Sequence, residues 1–340
     1  MKKALVITSI HSPNAALKKF SEMCRAMHIH FYLIGDTKTP KDFELPHCEF
    51  WNIENQKKLP FLLSEHLPLG SYARKNLGYL LAIQNGADII FESDDDNFPL
   101  DNFFEEKELL NEVYFSENHQ WVNIYQYFTA ANVWPRGFPL TEVKKSNPSL
   151  EDLPRQKIHC PIQQGLANDN PDVDAIYRLT QPIPVSFESG PSIALGKGSW
   201  CPFNTQNTIF YPEAYPLLYL PSTCNARLTD IWRGFIAARI LWTNDWAVLF
   251  TESTVYQERN EHDLMLDFKH EMDGYLHNAT ICKTLAELDL KSGEQHIEEN
   301  MFRCYQAMID LGLIQAQELS LLENWFRDLT TLKMEQKRRA

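Results

Sequence analysis

Apolar positions in this chain come in short runs divided by polar stretches of helical period. Residues 3–10 read as a buried strand ending in Thr8-Ser9, followed by a polar loop and a helix over residues 14–27. Residues 29–34 form a second apolar strand that stops at Gly35-Asp36, and Thr39-Pro40 interrupts the chain shortly after it. Residues 71–85 place Leu77, Leu80, Leu81 and Gln84 at helical spacing, with Gly86 as the C-cap. Residues 87–91 are then a short buried strand that runs directly into Glu92-Ser93-Asp94-Asp95-Asp96-Asn97. Strand alternating with helix in this way predicts an α/β layer with a mostly parallel sheet.

Further along, the pattern predicts a strand region over 121–132, a long polar and proline-rich surface loop over 144–171, and loops and hairpins over 186–211. A helix is expected over 230–243, a strand over 247–250, and helices throughout beyond residue 280. In that last region Leu319, Leu322, Phe326 and Leu329 form a core-packing stripe.

The 340 residues, 44% of them hydrophobic, suffice for one large core. A formal net charge of −13 argues against nucleic acid or an anionic membrane surface as partner. No apolar run is long enough to cross a bilayer, and the opening Met1-Lys2-Lys3 leads into a first strand rather than a signal peptide. Seven scattered cysteines without a CxxC pair fit a reducing compartment, so a cytoplasmic protein with no integral membrane segment is expected.

Open α/β sheets bind ligands beyond the carboxyl ends of their strands, and the acidic run stands at such an end. Three adjacent carboxylates repel one another unless a cation neutralises them, and hard oxygen donors suit Mg²⁺ or Mn²⁺ bridging to a diphosphate. The competing reading is a solvated acidic turn. Arg74 and Lys75, at the start of the preceding helix, add positive charge for a phosphate or are ordinary surface cations.

The segment from Tyr72-Ala73-Arg74-Lys75-Asn76-Leu77-Gly78 through Asp94-Asp95-Asp96 resembles the STELLO family of glycosyltransferases. It is more distantly similar to the reversibly glycosylated polypeptides, which are UDP-arabinopyranose mutases. Trp134-Pro135-Arg136-Gly137, Pro171-Asp172-Val173-Asp174, Gln206-Asn207-Thr208, Thr229-Asp230-Ile231-Trp232-Arg233-Gly234 and Trp325-Phe326-Arg327-Asp328-Leu329 occur in the same order.

The resemblance implies an α/β, glycosyltransferase A-type (Rossmann-like) fold with a mixed, mostly parallel sheet. The expected division is a nucleotide-sugar and acceptor domain over 1–275 and a helical extension over 276–340. It implies transfer from a nucleoside-diphosphate sugar, UDP-sugar foremost, to a glycan or other hydroxyl acceptor, with Mn²⁺ or Mg²⁺ held by Asp94 and Asp96 beside Asp95. Thr8 and Asp36 close the strands where such folds read base and ribose; either is equally a turn or cap residue. Where the family pattern suggests a histidine near the metal, this chain has Thr254-Val255-Tyr256-Gln257, leaving His262 and His277 as weak substitutes.

Asp230 reads as an N-cap or as a general base, and Trp232, with Arg233, as an acceptor contact or as core. Arg136 reads as a diphosphate or sugar ligand, as a glycosyl acceptor, or as a loop anchor. The alternatives to a transferase are a mutase interconverting pyranose and furanose rings, and a non-catalytic nucleotide-sugar-binding scaffold.

Overall fold

A computed structural model describes residues 1–260 and 262–339. Its strands, in chain order, are β1 (Lys3–Ser9), β2 (His30–Gly35), β3 (Glu49–Trp51), β4 (Ile89–Ser93), β5 (Asn97–Pro99), β6 (Leu110–Ser116), β7 (Gln120–Trp121), β8 (Arg155–Asn168), β9 (Ile193–Leu195), β10 (Ser199–Trp200), β11 (Asn207–Phe210) and β12 (Trp246–Gln257). The helices are α1 (Ala15–Met27), α2 (Ile53–Gln56), α3 (Leu62–His66), α4 (Lys75–Gln84), α5 (Ala175–Thr180), α6 (Thr229–Leu241), α7 (Leu264–Glu287), α8 (Ile297–Asp310) and α9 (Glu318–Arg339).

Ten strands form one mixed sheet in the order β3-β2-β1-β4-β11-β8-β6-β9-β12-β5, and β7 pairs with β10 separately. The expected parallel pairing holds across β3-β2-β1-β4. Beyond β4 antiparallel ladders enter, at β4–β11, β11–β8, β8–β6, β9–β12 and β12–β5, and they mix with the parallel ladders β6–β9 and β8–β12, so the second half of the sheet is mixed.

Alternation along β1 builds two layers. Leu5 and Ile7 join a core cluster with Leu17, Phe20 and Cys24 of α1, while Ala4 and Val6 join another with Leu77 and Leu80 of α4. The Asn14 side chain caps α1 by accepting from the Leu17 N–H at 2.9 Å. On the opposite face Gly78 lets α4 lie against the sheet, since a Cβ there would stand 2.5 Å from Val6 Cγ1.

Three stretches depart from the sequence pattern. Residues 144–171, expected as loop, contain β8, a fourteen-residue strand inside the sheet. Its buried Gln163 and Gln164 look like loop residues, but their amides are absorbed by the backbone carbonyls of Lys107 and Asn207, at 3.1 and 2.9 Å. Residues 121–132, expected as strand, hold only the end of β7 and a short 3-10 turn over Ile124–Tyr127. Helix α7 begins at Leu264, well before residue 280, and runs unbroken through the expected boundary at 275/276. Its polar Glu271 and Asn278 are buried because they bond to Ala175 N and to the Trp232 indole.

The C-terminal stripe packs as expected, with Leu322, Phe326 and Leu329 buried. Asp328 of α9 accepts from the Leu62 and Leu63 N–H groups at 2.8 and 2.9 Å, capping α3 from the far end of the chain. Among the described residues no helix is long and apolar enough to cross a membrane.

Candidate active site

Parallel pairing sets the carboxyl ends of β1, β2 and β4 side by side, with Ser9 level with Gly35 and Val6 level with Glu92. A cavity of about 480 Å³ opens there, within the usual range for small-molecule sites. Thr8, Asp36, Arg74, Asp94, Asp95, Asp96, Arg136 and Asp230 all line it, and Lys75, Trp232 and Arg233 do not.

The three adjacent carboxylates are held in different ways. Asp94 Oδ1 accepts from the Tyr72 hydroxyl at 2.7 Å and lies 3.6 Å from the buried Lys75 ammonium. Burial raises its pKa against the pull of Lys75 and Tyr72, and Asp230 and Asp172 raise it further. Asp95 accepts from the Ser9 hydroxyl, and its carbonyl accepts from Asn14 Nδ2 at 2.7 Å, which ties the acidic run to the start of α1. For Asp96, burial and the neighbouring Asp94 push the pKa up to about 6, while the Gln257 amide, donating at 2.9 Å, works the other way.

Asp94, partly buried, and Asp96, buried, thus repel each other and open to one cavity, a state that a divalent cation would relieve. Gln257 also lines the cavity, and its side-chain oxygen is buried without a partner among the described residues. His262 lines the cavity but leans on Asp267 at 3.3 Å, and His277 is not on the wall. Among the described residues no three His, Cys, Asp or Glu side chains form a metal cage. Any cation would thus have to complete its shell with ligand oxygens or water.

Arg136 is the centre of a second cluster. Its Nε and Nη2 donate to Asp172 at 2.7 and 2.9 Å, Nη2 and Nη1 donate to Asp230 at 2.7 and 3.2 Å, and Nη1 also reaches the Arg227 carbonyl. Burial opposes its charge, but the two carboxylates outweigh burial and raise its pKa well above the ordinary value. Asp172 is itself held below the usual carboxylate range, because Arg136 overrides its burial, and Asn204 donates to it at 2.7 Å.

Asp230 is not the N-cap, which is Leu228. It sits in the first turn of α6 with its carboxylate fixed by Arg136.

The remaining candidates are placed in supporting positions. Asp36 accepts from the N–H groups of Gly70 and Ser71, each at 2.9 Å, bracing the loop before α4. Arg74 donates to Gln56 at 2.6 Å and to the Leu67 and Pro68 carbonyls. Lys75, fully buried, donates to the Ser93 carbonyl at 2.8 Å and to Tyr72 at 3.0 Å. Trp232 is core, bonded to Asn278 at 2.9 Å, and Arg233 is paired with the buried Glu92 at 2.7 Å; neither reaches the cavity.

Sequence reasoning missed Tyr72, Asp172 and Gln257 as individual site residues. Each lay inside a family-like motif or a strand end, and only the fold aims its polar atoms at Asp94, Arg136 and Asp96.

Residues 227–338 match the sequence model of the STELLO glycosyltransferases. Over 334 residues, 90% of the chain, it is 29% identical to "Probable glycosyltransferase STELLO2" of Arabidopsis thaliana. Over 327 residues it is 29% identical to "Probable glycosyltransferase STELLO1" of the same plant. The match covers 42% of the length of either plant protein. The likeness to the STELLO family carried by the motifs is thereby borne out.

Proposed function

We propose that this chain is a glycosyltransferase of type-A architecture. It moves a sugar from a nucleoside-diphosphate sugar, UDP-sugar foremost, to an acceptor hydroxyl, with Mn²⁺ or Mg²⁺ at Asp94 and Asp96. The observation that supports this best is convergence: a partly buried acidic run and an Arg136–Asp230 pair open into the same 480 Å³ cavity, at the carboxyl ends of parallel strands. The likeness to two plant proteins named as glycosyltransferases agrees with it. Seven unpaired cysteines accord with a reducing, cytoplasmic setting.

In this reading Asp94 and Asp96 hold the cation, which when bound serves as a Lewis acid toward the departing diphosphate. Tyr72 and Lys75 hold Asp94 in place and oppose the effect of burial on its pKa. Asp230, immobilised by Arg136, receives the acceptor's proton as the new bond to the anomeric carbon forms and the bond to the diphosphate oxygen breaks. A carboxylate has about four lone-pair positions; Arg136 Nη1 and the Ile231 N–H occupy Oδ1 of Asp230 and Arg136 Nη2 one side of Oδ2, which leaves Oδ2 capacity to accept that proton.

The mutase alternative needs Arg136 as nucleophile. A guanidinium buried between two carboxylates and kept protonated has no free lone pair for that, which favours the transferase.

The test is a thermal-shift screen of nucleotide sugars with and without Mn²⁺, then turnover of the radiolabelled donor that binds. Mn²⁺-dependent stabilisation and label released to acceptor or water are expected. Label that stays covalently on the protein without acceptor would favour the mutase. No stabilisation by any nucleotide sugar would sink the reading.

A further inference from the structure

Two residues beyond β12, Arg259 joins Arg227 and His262 in one wall of the cavity. Arg227, Arg259 and His262 all line the cavity and all converge on one carboxylate, Asp267, in the first turn of α7. Arg259 Nη2 lies 2.6 Å from it, His262 Nδ1 3.3 Å and Arg227 Nε 3.9 Å. Arg227 has a second partner in Glu271, 2.5 Å from its Nη2. Arg259 has none that the described residues supply, and its Nε is buried without a bond.

A guanidinium offers five N–H donors, and among the described residues this one places a single one, on a carboxylate shared with a second arginine. The chain just before it is pinned to the acidic run: Gln257 Nε2 donates to Asp96 Oδ1 at 2.9 Å and the Glu258 N–H to the Asp96 carbonyl at 3.1 Å. Arg259 therefore stands one residue from the segment bonded to the carboxylates read as the cation site.

We propose that Arg259, backed by Arg227, is the subsite for a phosphate group of the donor and collects the charge of the departing diphosphate. This rests on the nucleotide-sugar reading above. Arg259 and Arg227 line the same cavity as Asp94 and Asp96, and a phosphate bound beside those carboxylates would offer an acceptor to the Arg259 donors that Asp267 leaves unused.

Calorimetric titration with UDP plus Mn²⁺, and separately with inorganic pyrophosphate plus Mn²⁺, tests this on the full chain. Arg259→Gln is expected to weaken both about tenfold, the scale of one charge-assisted hydrogen bond, and Arg259→Lys about threefold. Unchanged affinities in Arg259→Gln overturn the subsite. If circular dichroism shows that variant unfolded, Arg259→Lys carries the test, and wild-type affinity there overturns it. Wild-type protein that binds pyrophosphate but not UDP defeats the nucleotide reading, while a tenfold loss on pyrophosphate still supports Arg259. Wild-type protein that binds neither defeats both.

Discussion

The buried pair between Glu92 and Arg233 joins the strand carrying the acidic run to the helix carrying Asp230, and it is open to direct measurement. Glu92 is fully buried, and it accepts from Arg233 Nη2 and Nη1 at 2.7 and 3.1 Å and from the Tyr79 hydroxyl. Arg233 also stacks over Phe203 and Phe210, with centroids 5.6 and 5.1 Å away. Glu92→Gln leaves a guanidinium in the core facing a neutral amide, and removing one partner of a buried pair costs about 3–5 kcal/mol. For 340 residues the unfolding entropy is about 0.7 kcal/mol/K, so the melting temperature should fall by about 4–7 °C. Replacing both members, Glu92→Leu with Arg233→Met, removes both charges together and should cost at least about 2 kcal/mol less than the two single costs added. Urea unfolding of the four proteins in the cycle measures this. A single-variant cost below about 1 kcal/mol, or strictly additive costs, would refute the claim that this pair locks α6 to β4.

The same kind of contact sets three further outcomes. Asp96→Asn should abolish the Mn²⁺-dependent rise in melting temperature with UDP. It should leave the metal-free melting temperature unchanged or slightly higher, because burial already disfavours the Asp96 charge; fluorimetry with and without Mn²⁺ reads both. Arg136→Lys, which cannot span Asp172 and Asp230 bidentately, should destabilise by about 3 kcal/mol in urea unfolding, since two carboxylates are left sharing one ammonium. Asp174, which caps α5 and accepts from the Trp134 indole at 2.7 Å, is pushed by burial up to about 6 from 3.8. Its raised value means that the contribution to stability is complete below 3.8 and is lost as pH rises through 6. Between pH 7.5 and pH 5 the wild type should therefore gain about 1 kcal/mol relative to Asp174→Asn, and a gain in the opposite direction would contradict the assignment.

The N-terminal half was legible because its periodicities are strong and local. β1, α1, β2, α4 and β4 each bury alternating or helically spaced apolar residues, with Asn14 and Gly86 marking helix ends. The acidic run was legible for the same reason, since a buried strand that breaks into three carboxylates needs a cause. β8 and α7 were not, because their buried polar residues are satisfied by partners far away in the chain. Gln164 relies on Asn207 and Asn278 on Trp232, and no local pattern separates such residues from a loop or a solvated surface.

Roles divided along the same line. The chain by itself determined which residues bear charge and that the acids come directly after a strand. The tertiary structure decided which of those charges face a cavity. Arg136 and Arg233 are each buried arginines in a family-like motif, yet one contacts the cavity beside Asp230 while the other neutralises Glu92 in the core. Burial of a charge obliges it to find a counter-charge, and the packing of α6 against β4 and the 171–174 turn settles which carboxylate each one meets.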